Sequence, residues 1–249
     1  MAAPLLQYAW RTNRGCVRDH NEDAVVVDRE MGLVVVADGI GGATSGEIAS
    51  RLATIGVGEY LRSRKPQLLD PKATARLVCD AVEDANRVIW EWSRRSARYR
   101  GMGTTVVLGL AGLGWLVVAH VGDSRLYRRR GGRLEQLTRD HSLIQEVVDS
   151  GFFPTIEDAQ RYGINEHIIT RGLGGSKGVT VDVQELELRS GDLYLFCTDG
   201  LSGMVSDAVI AEVLATPDAD LEHLVDTLVE LARAGGGLDN ITVALMRVP

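Results

Sequence analysis

Three long apolar runs in this chain end at an aspartate set beside glycine, and this limits the folds open to it. Leu33-Val34-Val35-Val36-Ala37 runs into Asp38-Gly39, and Leu193-Tyr194-Leu195-Phe196-Cys197-Thr198 runs into Asp199-Gly200. Trp115-Leu116-Val117-Val118-Ala119-His120-Val121 leads through Gly122 into Asp123. Short apolar runs bounded by turn residues read as buried strands. A carboxylate at the exit of such a strand cannot stay charged and unpaired in a dry core. Glu22, beside Asn21, and Asp239, beside Asn240, add two more acids at turn-like points. Several carboxylates placed this way suggest one shared site for a hard cation with oxygen ligands, and hence metal-assisted chemistry.

The remaining composition excludes several classes. The 249 residues, 45% hydrophobic and 24% charged, fit one large or two small globular domains with a substantial core. The net charge of -7 comes with no basic stripe that would favour nucleic acid. The densest cationic run, Arg94-Arg95 through Arg98 and Arg100, reads as a helix end or loop, and Arg128-Arg129-Arg130 before Gly131-Gly132 as a solvated hairpin tip. Cys16, Cys79 and Cys197 are an odd number with no C-x-x-C pair, which disfavours disulfides or zinc and favours a reducing, cytoplasmic setting. No signal-peptide pattern and no uninterrupted apolar stretch of membrane-spanning length is present, so neither secretion nor membrane insertion is expected.

Periodicity predicts strands over 5–12, 24–28 and 33–37, then a loop over Gly41–Gly46 and a helix from about Gly46 to Arg64, stopped by Pro66. A second helix over about Pro71–Ser96 carries the apolar stripe Leu77, Val78, Ala81, Val82, Ala85, Val88, Ile89 and Trp92. Strand patterns follow at 104–110, 115–121, 124–128 and 133–137, then helix over 142–149 and irregular chain over 150–167 with helical character near 156–161. Strands at 181–188, 192–198 and 241–248 bracket helices near 206–215 and 220–234. Helices cluster in two pairs and strands in runs, so the fold class is α+β. Two antiparallel sheets face to face, each covered by antiparallel helices, form a four-layer α-β-β-α sandwich with the acidic strand ends converging at one edge.

Eight short elements occur in order: Arg18-x-x-Asn21-Glu22-Asp23, Val36-Ala37-Asp38-Gly39-Ile40-Gly41-Gly42, Gly103-Thr104-Thr105, Val121-Gly122-Asp123-Ser124-Arg125, Asp140-His141-Ser142, Thr170-Arg171-x-Leu173-Gly174, Cys197-Thr198-Asp199-Gly200-Leu201 and Asp239-Asn240-Ile241-Thr242. Together they resemble the metal-dependent serine/threonine protein phosphatases of type 2C in their compact bacterial form. The resemblance runs from about Arg11 to Val248 and implies one catalytic domain over 1–249 with a flap at about 146–167. It implies the same sandwich, with two core Mn2+ or Mg2+ ions and a weaker third. Asp38 would bridge two ions, with the Gly39 carbonyl on one of them. Glu22 would hold one core ion, Asp199 and Asp239 the other, and Asp123 with Asp199 the third. Arg18, whose planar fork matches two phosphate oxygens, would bind the substrate phosphate. A metal-activated water would then hydrolyse phosphoserine or phosphothreonine in proteins.

Ile40 stands where animal and plant relatives carry a histidine proposed as general acid, which leaves that role to His141, His167 or a water on the ions. Phe152-Phe153-Pro154 in the flap offers either a substrate contact or an anchor to the core. Asp123 is open to a metal ion or to an ion pair with Arg125, and Arg18 to phosphate or to a salt bridge with Glu22 or Asp23. Of Glu22 and Asp23, Glu22 is the ligand and Asp23 a turn cap or arginine partner. Thr104 and Thr105 read as strand residues, Asp140-His141-Ser142 as a helix N-cap, Thr170-Arg171 as a tie for the flap, and Cys197 as an inert buried thiol. The partners implied are phosphorylated proteins, a bacterial Ser/Thr kinase with its substrates and a forkhead-associated protein, with no nucleic acid and no membrane, for a monomer. Two other functions compete: a pseudophosphatase that binds phosphoproteins, and a small-molecule phosphohydrolase. The presence of all five acids and Arg18 argues against the first.

Overall fold

The computed structural model describes residues 6–41, 45–66, 70–216 and 219–249; Gly42 and most of the Gly41–Gly46 loop lie outside the described residues. Within them, β1 (Gln7–Asn13), β12 (Ile241–Arg247), β11 (Leu193–Cys197), β8 (Arg125–Arg130) and β9 (Arg133–Gln136) form one sheet in that order. The other runs β10 (Asp182–Glu187), β7 (Trp115–Val121), β6 (Val106–Ala111), β3 (Leu33–Ala37) and β2 (Ala24–Asp28). Every paired neighbour is antiparallel.

Side-chain alternation explains why the central strands read as unbroken apolar runs. In β3, Leu33, Val35 and Ala37 face α1 (Ser45–Arg62) and α2 (Pro71–Ser93), while Val34 and Val36 face the second sheet. In β11, Leu193, Leu195 and Cys197 face α6 (Asp207–Leu214) and α7 (Leu221–Ala234), while Tyr194 and Phe196 enter the layer between the sheets. Period-two side chains with both faces covered make every position apolar. Three apolar layers follow, one between the sheets and one beneath each helix pair, so the four-layer α-β-β-α sandwich expected from the sequence is the architecture found. The second helix starts as its sequence dictates: Asp70 caps it, accepting from the Ala73 amide at 2.8 Å, and Pro71 occupies the first turn.

Three local expectations change. The run 104–110 splits at Thr105: β5 (Gly103–Thr104) pairs with β4 (Gly39–Ile40) in a separate ribbon, because Thr105 turns aside to bond Asp38. Helix α2 stops at Ser93 rather than Ser96, and a 3-10 turn follows over Ala97–Tyr99. Arg128, Arg129 and Arg130 are half-buried in β8 rather than solvated; Arg128 pairs with Glu135 at 2.7 Å and Arg130 with Asp192 at 2.6 Å.

Candidate active site

Strand register delivers the acidic residues to one edge of the sandwich. Ala24 faces Ala37, so Asp23 and Asp38, each one step beyond, emerge side by side. Cys197 faces Arg125, which sets Asp199 and Asp123 on the adjoining strand ends of the opposite sheet. Asn13 faces Ile241, so the 14–23 loop with Arg18 and Glu22 lies against Asp239 and Asn240.

Short polar bonds then fix this backbone. Asn240 Oδ1 accepts the Glu22 amide at 2.7 Å, and its Nδ2 donates to the carbonyls of Arg14 and His20 at 2.9 and 2.8 Å. The Asp38 amide donates to Thr105 Oγ1 at 2.9 Å, and the Asp38 carbonyl accepts from the Thr104 hydroxyl at 2.7 Å and the Thr105 amide at 2.9 Å. Thr105 also shares a 2.6 Å hydrogen bond with the Ser124 hydroxyl, next to Asp123. Gly39 is required because a Cβ there would collide with the Gly46 carbonyl and lie 2.6 Å from the Glu22 carbonyl.

The carboxylates are short of partners. Asp23 Oδ1, Asp123 Oδ1 and Asp199 Oδ1 are buried with no hydrogen bond. Burial, then the neighbouring Asp23, Asp199 and Asp123, holds the Asp38 carboxyl well above the usual carboxylate range. Burial pushes Asp23 up to about 7 against the hydrogen bonds of Thr242 and Thr198. It pushes Asp123 up to about 7 as well, with Asp199 and Asp140 adding to the rise. Asp199 rises chiefly through burial, and burial raises Glu22, which Arg18 offsets. Like charges held together in a dry pocket are costly unless protons or a cation intervene. Orphaned carboxylate oxygens suit Mg2+ or Mn2+ and offer nothing to a soft metal.

Of the sequence candidates, Asp38, Asp199 and Asp123 thus converge, with Glu22 beside them. Asp239 and Arg18 sit at the rim, joined by a 2.6 Å salt bridge from Arg18 Nη2 to Asp239 Oδ2. Asp23 is a residue the sequence reading set aside: it caps no turn and meets no arginine, but takes the Thr198 hydroxyl at 2.9 Å inside the cluster. It lies one step before the half-buried strand β2, whereas Asp38 follows the fully buried β3, so the strand-exit signal did not mark it. Arg125 does not pair with Asp123; it grips Asp140 at 2.6–3.0 Å. Of Asp140-His141-Ser142, only Ser142 caps α3 (Leu143–Asp149). Phe152 is 78% exposed and Phe153 leans on Tyr162 at 5.2 Å within the flap, so neither anchors it as a pair to the core. Cys197 is buried, its thiol pushed up to about 12 by burial, and is inert.

Among the described residues, His120, His141 and Asp182 also bring ligand atoms within 4.8 Å of one another. They do not form a metal centre. The two rings stack at 4.7 Å with planes 11° apart, so their in-plane lone pairs run parallel and cannot converge on one ion at about 2.1 Å. His120 Nε2 meets the Arg139 carbonyl at 2.9 Å, and His141 Nδ1 accepts the Gly122 amide at 3.0 Å. Committed in this way, His141 is not available as a general acid. His167 instead lines a groove with Ile40.

Residues 16–236 match the family model for Protein phosphatase 2C. The Serine/threonine protein phosphatase PstP of Mycobacterium tuberculosis is 38% identical over 245 residues, 98% of this chain and 45% of PstP, so the chain spans about half the length of that relative. A crystal structure of the PstP catalytic domain in complex with two manganese ions matches with a TM-score of 0.85 at 38% identity over 97% of each chain. Serine/threonine phosphatase stp of Listeria monocytogenes is 34% identical over 95% of this chain and 94% of its own. PppA, a key regulatory component of T6SS in Pseudomonas aeruginosa, matches in structure with a TM-score of 0.83 at 30% identity over 99% of both chains.

Proposed function

The chain belongs to the protein phosphatase 2C family, and on that premise we propose that it is a Mn2+- or Mg2+-dependent hydrolase of phosphoserine and phosphothreonine in proteins. One observation carries the reading: half-buried Asp38 and Asp199 meet buried Asp23 and Asp123 at one edge, where, among the described residues, one buried carboxylate oxygen each of Asp23, Asp123 and Asp199 has no partner. Asp38, Asp199, Asp239, Glu22 and the Gly39 carbonyl would hold two core ions, and Asp123 with Asp199 a third. The two manganese ions of the PstP catalytic domain support the core pair. Bound there, the ions would neutralise the phosphate and lower the pKa of water to near neutrality.

The remaining roles fall to the chain's own side chains. Arg18, whose guanidinium holds Asp239 at 2.6 Å, would take two phosphate oxygens once Asp239 serves as a metal ligand. Thr104 and Thr105 fix the Asp38 backbone, and Asn240 fixes Glu22. With Ile40 unable to give a proton, the leaving hydroxyl would be protonated by His167, which lines a groove with Ile40, or by a water on the ions. The acidic site, the single domain and the lack, among described residues, of a helix long and apolar enough to cross a membrane fit a monomeric cytoplasmic enzyme. It would oppose a Ser/Thr kinase, with a forkhead-associated protein as a further partner.

Hydrolysis of a phosphothreonine peptide with Mn2+, Mg2+ or EDTA tests this, in wild type and in Asp38→Ala and Asp199→Ala. Turnover that needs either ion and collapses in both variants is expected. Ion binding without turnover in the wild type would instead leave a phosphoprotein-binding module.

A further inference from the structure

The cationic run Arg94-Arg95-x-x-Arg98-x-Arg100 has no task in the chemistry above. It follows the C-terminal end of α2, where cations favour the helix dipole. That explains Arg94 and Arg95 in part but not Arg100, which lies beyond the 3-10 turn. All four arginines are exposed, and among the described residues none has a carboxylate within salt-bridge distance. Elsewhere in the chain arginines are routinely paired, as at Arg62, Arg87, Arg125 and Arg130. Arg94 and Arg95 rest instead over Trp90 and Trp92, at 5.1 and 5.3 Å, which orders the guanidinium groups without spending their charge.

These side chains wall a groove of about 900 Å3. Arg94, Arg95 and Arg100 line one side, Ile40 and His167 the end nearest Asp38, and no aspartate or glutamate lines it anywhere. Gly101, Gly103, Gly172, Gly174 and Gly175 also line it, and a side chain added at Gly101 or Gly175 would meet nothing within 4 Å. Arg171 also lines it, but that charge is already taken by Asp182 at 2.7 Å. In a chain of net charge -7, a groove whose charged lining is cationic, and which begins at Ile40 two residues from Asp38, is a local reversal of sign.

Resting on the phosphatase reading, we propose that this groove seats the substrate polypeptide next to its phosphorylated residue and selects aspartate and glutamate side chains there through Arg94, Arg95 and Arg100. The phosphoresidue enters the acidic edge, and its chain leaves past Ile40 toward the arginines. Exposed ion pairs are individually weak, so three acting together give roughly a tenfold preference that fades with salt.

Matched phosphothreonine peptides carrying three glutamates, or three glutamines, on one or the other side of the phosphoresidue test this, with para-nitrophenyl phosphate as a substrate too small to reach the arginines. Wild type should prefer one glutamate peptide roughly tenfold in kcat/KM. The triple variant Arg94→Gln, Arg95→Gln, Arg100→Gln should lose that preference and keep its para-nitrophenyl phosphate rate. Arg94→Glu with Arg95→Glu should turn the preference toward a lysine-flanked peptide, which also guards against a misfolded triple variant. Equal rates on all peptides, or a preference that survives the triple variant, overturns the proposal. A wild type inert toward para-nitrophenyl phosphate would sink the phosphatase reading alone. Fluorescence anisotropy of the labelled glutamate peptide then decides the groove: binding lost in the triple variant supports it, and binding unchanged overturns it.

Discussion

Two clusters of titratable groups meet at Gly122-Asp123 and are built on opposite terms. On one side, Asp23, Asp38, Asp123 and Asp199 crowd together with three buried carboxylate oxygens unpartnered. On the other, Arg125, Asp140, His120, His141, Arg171 and Asp182 are matched almost atom for atom. Asp140 takes Arg125 and Gln136, Asp182 takes Arg171 at 2.7 Å and His141 at 3.3 Å, and His141 holds both the amide and the carbonyl of Gly122. A satisfied network holds shape, whereas an unsatisfied one waits for a ligand. The contrast supports the first cluster as the proposed site and the second as the frame beside Asp123.

The largest effect should come from striking the unsatisfied cluster. Asp38→Ala removes the acid at its centre and should cut Mn2+-dependent hydrolysis by about 10³-fold or more, since metal-ion stabilisation supplies several kcal/mol of barrier lowering. Thermal melting of the metal-free variant should show no loss of stability, because a like-charged buried group has gone. A variant that unfolds while keeping its turnover would reverse the two roles. Arg125→Ala tests the other side. It strands Asp140, 11% exposed as a side chain, and breaking such a pair costs about 3–5 kcal/mol, read as a lower denaturation midpoint. A midpoint within 0.5 kcal/mol of wild type would deny that network its structural part.

The clusters should also answer pH with opposite signs. Asp23 and Asp123 sit at about 7 in the folded chain against about 3.9 when unfolded, so the fold holds extra protons between those values. Their contribution is complete below about pH 4 and is lost as pH rises through about 7. His120 and His141 are held below the usual imidazole value, first by burial, so their contribution is complete above about pH 6.5 and is lost on acidification. Metal-free Asp123→Asn should therefore lose less stability than wild type between pH 5 and 8, by on the order of 2 kcal/mol, and Mn2+ added to wild type should flatten the same limb. Parallel pH curves for variant and wild type would show that Asp123 titrates normally.

Much of this contrast was legible in the chain, and the part that was not has a physical cause. Runs such as Leu33–Ala37 and Leu193–Thr198 announce strands buried on both faces, and an aspartate at their exits announces a site at the sheet edge. The layers follow from the same patterns. What spacing does not carry is which polar groups meet across the fold. Asn240 lies more than two hundred residues from Glu22, yet it fixes that residue's amide at 2.7 Å. Asp23 reads as a turn residue until β2 is paired with β3 and carries it to Asp38. Arg125 looks like the partner of Asp123 two residues away, but alternation along β8 turns it toward Asp140. His141 beside Asp140 resembles catalytic equipment, and only its stack on His120 and its two bonds to Gly122 reveal a structural part.

Thr105 offers the finest probe, because it joins the two clusters while belonging to neither. It is fully buried, accepts the Asp38 amide at 2.9 Å and bonds Ser124 at 2.6 Å, one residue from Asp123. Thr105→Val keeps the shape and removes the oxygen, leaving the Asp38 amide without its acceptor at a cost of about 1–2 kcal/mol, or a few degrees in Tm. Groups that orient a metal ligand typically govern metal affinity by 10- to 100-fold, so Mn2+ binding should weaken about tenfold by calorimetry. Thr105→Ser restores the oxygen and should restore the affinity, though it loses a methyl from the core. If the valine variant binds Mn2+ as tightly as wild type, Thr105 is packing alone, and the Asp38 backbone is held by β4–β5 pairing and Gly39 without its help.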